Sequence, residues 1–171
     1  MKIRQSFQQY VNLRPVKLLP GAPSPLAGRS PQDIDMVVLR ENTEGEYAGI
    51  GGFLFPGDPE REVALQTAVY SRVGVERIVR HAFDLGRRLK KSVTSVSKGN
   101  ACNYSGVFWD KVFREVAEEY PDVPTRSYLV DAASMFFVRD PSRFGVVVTG
   151  NLYGDILTDL GAAITGGMGL A

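Results

Sequence analysis

The 171-residue sequence predicts an α/β fold, a mixed sheet flanked by helices. Three observations carry that expectation. Apolar runs at Met36–Leu39 and Phe144–Val148 and the short β-branched run Ser92–Ser97 read as strands, the first buried because four apolar residues run on without alternation. Two longer stretches, Val75–Leu89 and Tyr104–Tyr120, place apolar residues at helical spacing. Strand and helix patterns then alternate through most of the chain, which is how a helix-covered sheet is written in sequence.

The elements follow in order. Ile3, Phe7, Tyr10 and Val11 show helical apolar spacing at the start. Tyr10–Val16 is an extended stretch, and as a strand it puts Asn12 and Arg14 on one face. Four prolines and two glycines between Pro20 and Pro31 mark a loop. The Met36–Leu39 strand delivers Arg40, Glu41, Asn42, Thr43 and Glu44 at its end, where parallel sheets gather functional residues. Tyr47–Gly52 and Glu62–Tyr70 read as a hairpin joined through Phe55-Pro56-Gly57-Asp58-Pro59. A long hairpin with little to pack against is expected to protrude as an arm and pair with a second subunit.

Val75, Ile78, Val79, Ala82, Leu85 and Leu89 mark one face of the next helix, and Arg87, Arg88, Lys90 and Lys91 suit its C-terminal end. Ser92–Ser97 ends in Lys98-Gly99-Asn100, and a helix over about Tyr104–Tyr120 follows. Tyr128–Val130 reads as a strand ending in Asp131, and Ala132–Val138 as a short helix. The Phe144–Val148 strand leads into Asn151-Leu152-Tyr153-Gly154-Asp155-Ile156-Leu157-Thr158-Asp159.

Composition narrows the chemistry. A net charge of +1 gives no reason to expect nucleic acid or a membrane surface as partner. No apolar run is long enough to span a bilayer. Cys102 is the only cysteine, so no disulfide or thiolate zinc site forms within one chain, and a cytoplasmic setting is expected. His81 is the only histidine, which argues against a Ser-His-Asp hydrolase. Both ends stop on residues untypical of solvated termini, so the chain is expected to be a central piece of a longer enzyme.

Asp155 and Asp159 stand four residues apart, which puts both on one face of a helix. Paired carboxylates suit Mg²⁺ or Mn²⁺, although acidic residues near a helix N-terminus also satisfy the macrodipole. Arg40, Lys98 and Asp131 stand at other strand ends, with Arg4 and Arg14 near the start. Arginine forks hold carboxylates, and a lysine can take a proton from a hydroxyl. The set fits a small polycarboxylate held on a metal. A metal-dependent phosphatase would leave the arginines without a clear task.

The motifs NLYGDILTDLGAAITGGMGL (151–170), NLRPV (12–16), RENTEGEY (40–47), SKGN (97–100) and VDA (130–132) appear in one order across the chain. In these the sequence resembles the metal-dependent β-decarboxylating dehydrogenases, the isocitrate/isopropylmalate dehydrogenase family. The stretch RENTEGEYAGIGG leans toward tartrate and D-malate dehydrogenases within it. The resemblance implies an incomplete isopropylmalate dehydrogenase-like fold. About residues 1–10 would end a first domain, and about 11–165 would form the substrate, metal and dimerisation domain. It implies NAD as cofactor, with NADP open, and a homodimer with shared active sites. Arg4, Arg14 and Arg40 would bind substrate carboxylates, Tyr47 would protonate the enol, and Lys98 would assist loss of the hydroxyl proton. Asp131, Asp155 and Asp159 would ligate Mg²⁺ or Mn²⁺, with Lys98 and Asp131 acting across the dimer. Asn100 and Asn151 would meet the cofactor. The expected substrate is D-malate or tartrate, with 3-isopropylmalate or isocitrate as alternatives. A truncated dimerisation piece without catalysis is the competing reading.

Overall fold

The computed structural model describes residue 3 and residues 6–167. Along the described chain run β1 (Val11–Lys17), β2 (Asp35–Glu41), β3 (Gly45–Leu54), β4 (Val63–Val69) and α1 (Arg72–Leu89). β5 (Val93–Ser97), α2 (Ser105–Ala117), β6 (Thr125–Leu129) and α3 (Val130–Arg139) come next. A 3₁₀ turn at Pro141–Arg143, β7 (Val146–Thr149) and α4 (Asn151–Ile164) complete it. The architecture is the expected α/β fold with a mixed sheet. The strand expected over Tyr10–Val16 is present as β1, whereas Val130 opens α3 where a strand end was expected.

Five strands make one sheet in the order β1-β2-β7-β5-β6. β2, β7, β5 and β6 run parallel, and β1 closes one edge antiparallel to β2. All four parallel strands therefore end on the same side. Arg40 pairs with Thr149 and Thr149 with Val96, so the ends of β2, β7 and β5 are level. Helices cover both faces, and the pleat divides the apolar residues between them. Leu39, Val93, Val146 and Val148 pack under α1 and α2 with Ile78, Phe83, Trp109 and Phe113. Met36, Val38, Val96 and Val147 pack on the other face with Phe137 of α3 and Leu157 and Ile164 of α4. Trp109 keeps its indole N–H satisfied by donating to Ser95 Oγ at 3.0 Å.

The same pleat sends Arg40 and Glu41 to opposite faces. Glu41 is fully buried on the α1 side and accepts from Thr43 N, Thr43 Oγ1 and Glu44 N at 2.6–2.9 Å. Its carboxylate thereby folds the turn that leads from β2 into β3. Glu44 then accepts from the backbone N–H and hydroxyl of Ser71, whose own Oγ caps α1 by accepting from Gly74 N at 3.0 Å.

β3 and β4 pair with each other in a separate two-stranded sheet. Ile50, Phe53, Leu54, Phe55, Val63 and Leu65 are exposed along this hairpin, and Phe53 keeps 68% of its surface in water. Among the described residues, no helix is long and apolar enough to cross a membrane.

Close packing of α4 on β1 makes Gly161 sensitive. A methyl group there would stand 2.6 Å from Val16 Cγ2. The Gly161→Ala overpacking cost of about 1–3 kcal/mol exceeds the helix-propensity gain of about 1 kcal/mol. Thermal unfolding is expected to show a net loss of about 1 kcal/mol, a melting temperature lower by roughly 2–4 °C. An unchanged or higher melting temperature would contradict the contact.

Candidate functional site

The strand order sorts the expected site residues into two groups. β2 lies beside β7, so Arg40 at the end of β2 meets the start of α4. Arg40 is only 3% exposed. Its Nε donates to Asn151 Oδ1 at 2.8 Å, and its Nη1 forms an ion pair with Asp155. The guanidinium also lies over the Tyr47 ring, 5.4 Å from its centre. α4 can approach this closely because Gly154 faces Arg40, whose Cβ and Cγ would stand 2.7 Å from an added methyl group.

Arg14 reaches the same carboxylate from β1. Its Nη1 stands 3.5 Å from Asp155 Oδ1 and donates to Thr158 Oγ1 at 2.5 Å. Its Nε donates to Asn12 Oδ1 at 3.2 Å, which confirms that Asn12 and Arg14 share a face. Tyr47 on β3 donates its hydroxyl to Asp155 Oδ2 at 3.2 Å. Two arginines and a phenol from three strands thus converge on one helical aspartate. Asp159, one turn on, is exposed and lines the adjoining cleft of about 400 Å³ with Asp155, Arg14 and Thr158.

The second group stands at the ends of β5 and β6, which are neighbours in the sheet. Lys98 Nζ lies 2.5 Å from Asp131 Oδ1. That ammonium, with a backbone hydrogen bond in support, holds the Asp131 carboxyl below the usual carboxylate range. Asn100 is exposed just beyond β5. Asp131 is separated from α4 by the strand order, since β6 lies two strands from β7, about 10 Å. Among the described residues no three acidic, histidine or cysteine side chains form a group that could hold a metal. Arg4 lies outside the described residues.

A pocket between the groups is lined by Glu46, Tyr70, Lys98, Cys102, Trp109 and Tyr153, among others. Burial pushes the Tyr70 phenol far above its ordinary range, and the Glu46 carboxylate adds to the rise. Burial also raises the Tyr153 phenol, together with its contact to Cys102 Sγ at 3.5 Å. Both remain neutral phenols at any physiological pH.

Glu41 and Glu44 were placed at the end of the Met36–Leu39 strand without a role, and Thr158 and Tyr70 were not singled out in the sequence. Thr158 had a local signal, because it follows Asp155 by three residues and so shares its helical face.

The sequence matches the family model of isocitrate/isopropylmalate dehydrogenases over residues 1–171. It is 55% identical to 3-isopropylmalate dehydrogenase of Thermobifida fusca (strain YX), over all of this chain and 48% of that protein. It is 49% identical to the decarboxylating D-malate dehydrogenase of Escherichia coli (strain K12), over all of this chain and 47% of that protein. Among solved structures, isocitrate dehydrogenase from Methylococcus capsulatus superposes with a TM-score of 0.88 at 42% identity. That match covers 98% of this chain and 48% of the other. The chain therefore spans about half the length of the curated relatives it matches. The identities place 3-isopropylmalate dehydrogenase above D-malate dehydrogenase, against the leaning of the RENTEGEYAGIGG stretch.

The Lys98–Asp131 pair has a direct test. The lowered pKa means Asp131 stays ionised as pH falls and takes its proton only below the ordinary value of 3.8. In Lys98→Met the midpoint of the Asp131 carboxyl carbon shift, followed by NMR, is expected to move up toward that value. A midpoint indifferent to Lys98 would contradict the pairing.

Proposed function

The chain belongs to the isocitrate/isopropylmalate dehydrogenase family, and on that premise we propose that it carries the substrate and metal residues of an NAD-dependent oxidoreductase. The reaction is oxidation, with decarboxylation, of a small 2-hydroxy acid that bears two carboxylates. The RENTEGEYAGIGG stretch supports D-malate or tartrate, whereas identity to relatives supports 3-isopropylmalate, and isocitrate has the same core. One observation carries the reading: Arg14, Arg40 and Tyr47 all turn toward a single carboxylate beside an open cleft. Internally, Asp155 occupies the place of an anion that the arginines are built to hold.

Arg14 and Arg40 bind the substrate carboxylates through their guanidinium forks. Arg4 is proposed to join them. Lys98, once it has given up a proton and stands as the neutral amine, receives the proton of the 2-hydroxyl group, and Asp131 beside it stabilises the ammonium that results. Tyr47 delivers a proton to the enol carbon left by loss of CO₂. Asn100 is proposed to lie beside the nicotinamide, whose ring takes the hydride; NADP remains as open as NAD.

The donor set available for a metal is all carboxylate, which fits Mg²⁺ or Mn²⁺ and not zinc. Asp155 and Asp159 would hold it, with Asp131 supplied by a second copy of the chain. Bound there, the ion would supply Lewis acidity at the substrate's hydroxyl and carboxylate oxygens. We place the working site in a homodimer, with Lys98 and Asp131 crossing from one subunit to the other. The half-length match supports one further reading, that these 171 residues alone form a dimerising piece without turnover.

A panel of D-malate, tartrate, 3-isopropylmalate and isocitrate with NAD⁺ and Mn²⁺, read by NADH absorbance, tests the activity on the full-length enzyme. Turnover of at least one is expected, lowered about 10²-fold or more by Asp155→Asn or Lys98→Met. Full activity in both variants would refute the assignment. Turnover by the isolated 171 residues at the full-length rate would refute the dimerising-piece reading.

Site sharing is tested by mixing the two inactive variants. One of the two sites in each mixed dimer would regain both side chains. Random pairing should therefore restore about one quarter of normal turnover. No recovery from verified mixed dimers would rule out sharing.

A further inference from the structure

Asn151 opens α4 with 1% of its surface exposed. Its amide is engaged at both ends. Oδ1 accepts from Arg40 Nε at 2.8 Å, and Nδ2 donates to the Glu44 carbonyl at 3.0 Å. These partners fix the orientation of the amide, because a guanidinium only donates and a carbonyl only accepts. A side chain so enclosed presents little surface to a cofactor.

The consequence falls on Arg40. A guanidinium is planar, so an anchor at Nε restrains the plane of the whole fork. Without it, the plane of the fork loses its restraint at Nε. With it, Nη1 is held toward Asp155 and the cleft. The other end of the amide holds the carbonyl of Glu44, the residue before β3, and β3 carries Tyr47. One buried amide therefore ties the carboxylate-binding fork to the start of the strand that presents the phenol.

We propose that Asn151 is a positioning residue, which sets the plane of the Arg40 fork for a substrate carboxylate. The proposal rests on the reading of Arg40 as a carboxylate ligand. It predicts that Asn151 acts on binding through Arg40 and not independently of it.

A double-mutant cycle separates the two cases. Dissociation constants for D-malate, the core shared by the candidate substrates, are measured by calorimetry with the full-length enzyme and Mn²⁺ present. Four forms are compared: unsubstituted, Asn151→Ala, Arg40→Lys and the double variant. Lysine keeps the positive charge but has no Nε–H fork to align. Asn151→Ala is expected to weaken binding about 10-fold when Arg40 is present and less than about 2-fold in the Arg40→Lys background. Asn151→Ser serves in the same cycle where alanine lowers the yield of folded protein.

Equal weakening in both backgrounds, or none in either, would overturn the positioning role and leave the substrate reading intact. Failure of the unsubstituted enzyme to bind D-malate while binding none of the related diacids would overturn the substrate reading, and the positioning role with it.

Discussion

A guanidinium taken out of water sets the terms for this molecule. Arg40 sits at the end of a central strand with almost no exposure, and a buried charge costs several kcal/mol unless it is paired and hydrogen-bonded. α4 supplies both partners, an amide at its first residue and a carboxylate one turn later. For that, β7 must lie beside β2 and must end level with it, as it does. Gly154 must also lack a side chain, so that the helix can sit on the arginine stem. Strand order, helix start and glycine position are thus parts of one requirement.

The order of strands that satisfies Arg40 also divides the acidic residues. β5 and β6 bring Lys98 and Asp131 together on one side, while β1, β2 and the helix after β7 assemble the arginines with Asp155 on the other. β6 lies two strands from β7, about 10 Å, which keeps Asp131 apart from α4 within one chain. The hairpin stands apart from both groups, exposed and apolar along much of its length and paired only with itself among the described residues.

Much of this was legible in the sequence because it depends on local pattern. The apolar runs of β2 and β7, the amphipathic faces of α1 and α2, and the charged residues at strand ends all follow from periodicity. Spacing also put Asp155 and Asp159 on one helical face. The partners of Asp155 were not legible. They come from β1, β2 and β3, up to 141 residues away in the chain, and only the sheet order makes them neighbours. Val130 misled for a related reason: its apolar neighbours Tyr128 and Leu129 read as a strand that continued through it, but the chain turns into α3 at that residue. The sequence placed Glu41 at a strand end but did not show that its carboxylate is buried and folds the turn that follows.

Tyr70 ends the hairpin with its hydroxyl wedged between two glycines. A methyl group on Gly45 would stand 2.7 Å from that oxygen, and one on Gly150 would overlap it more severely. The three positions therefore form a single unit of inheritance. Alanine at either glycine meets the phenol, whereas loss of the phenol leaves two glycines lining an empty space. Neither change is neutral alone, so descendants of this sequence are expected to keep the trio or to exchange its members together.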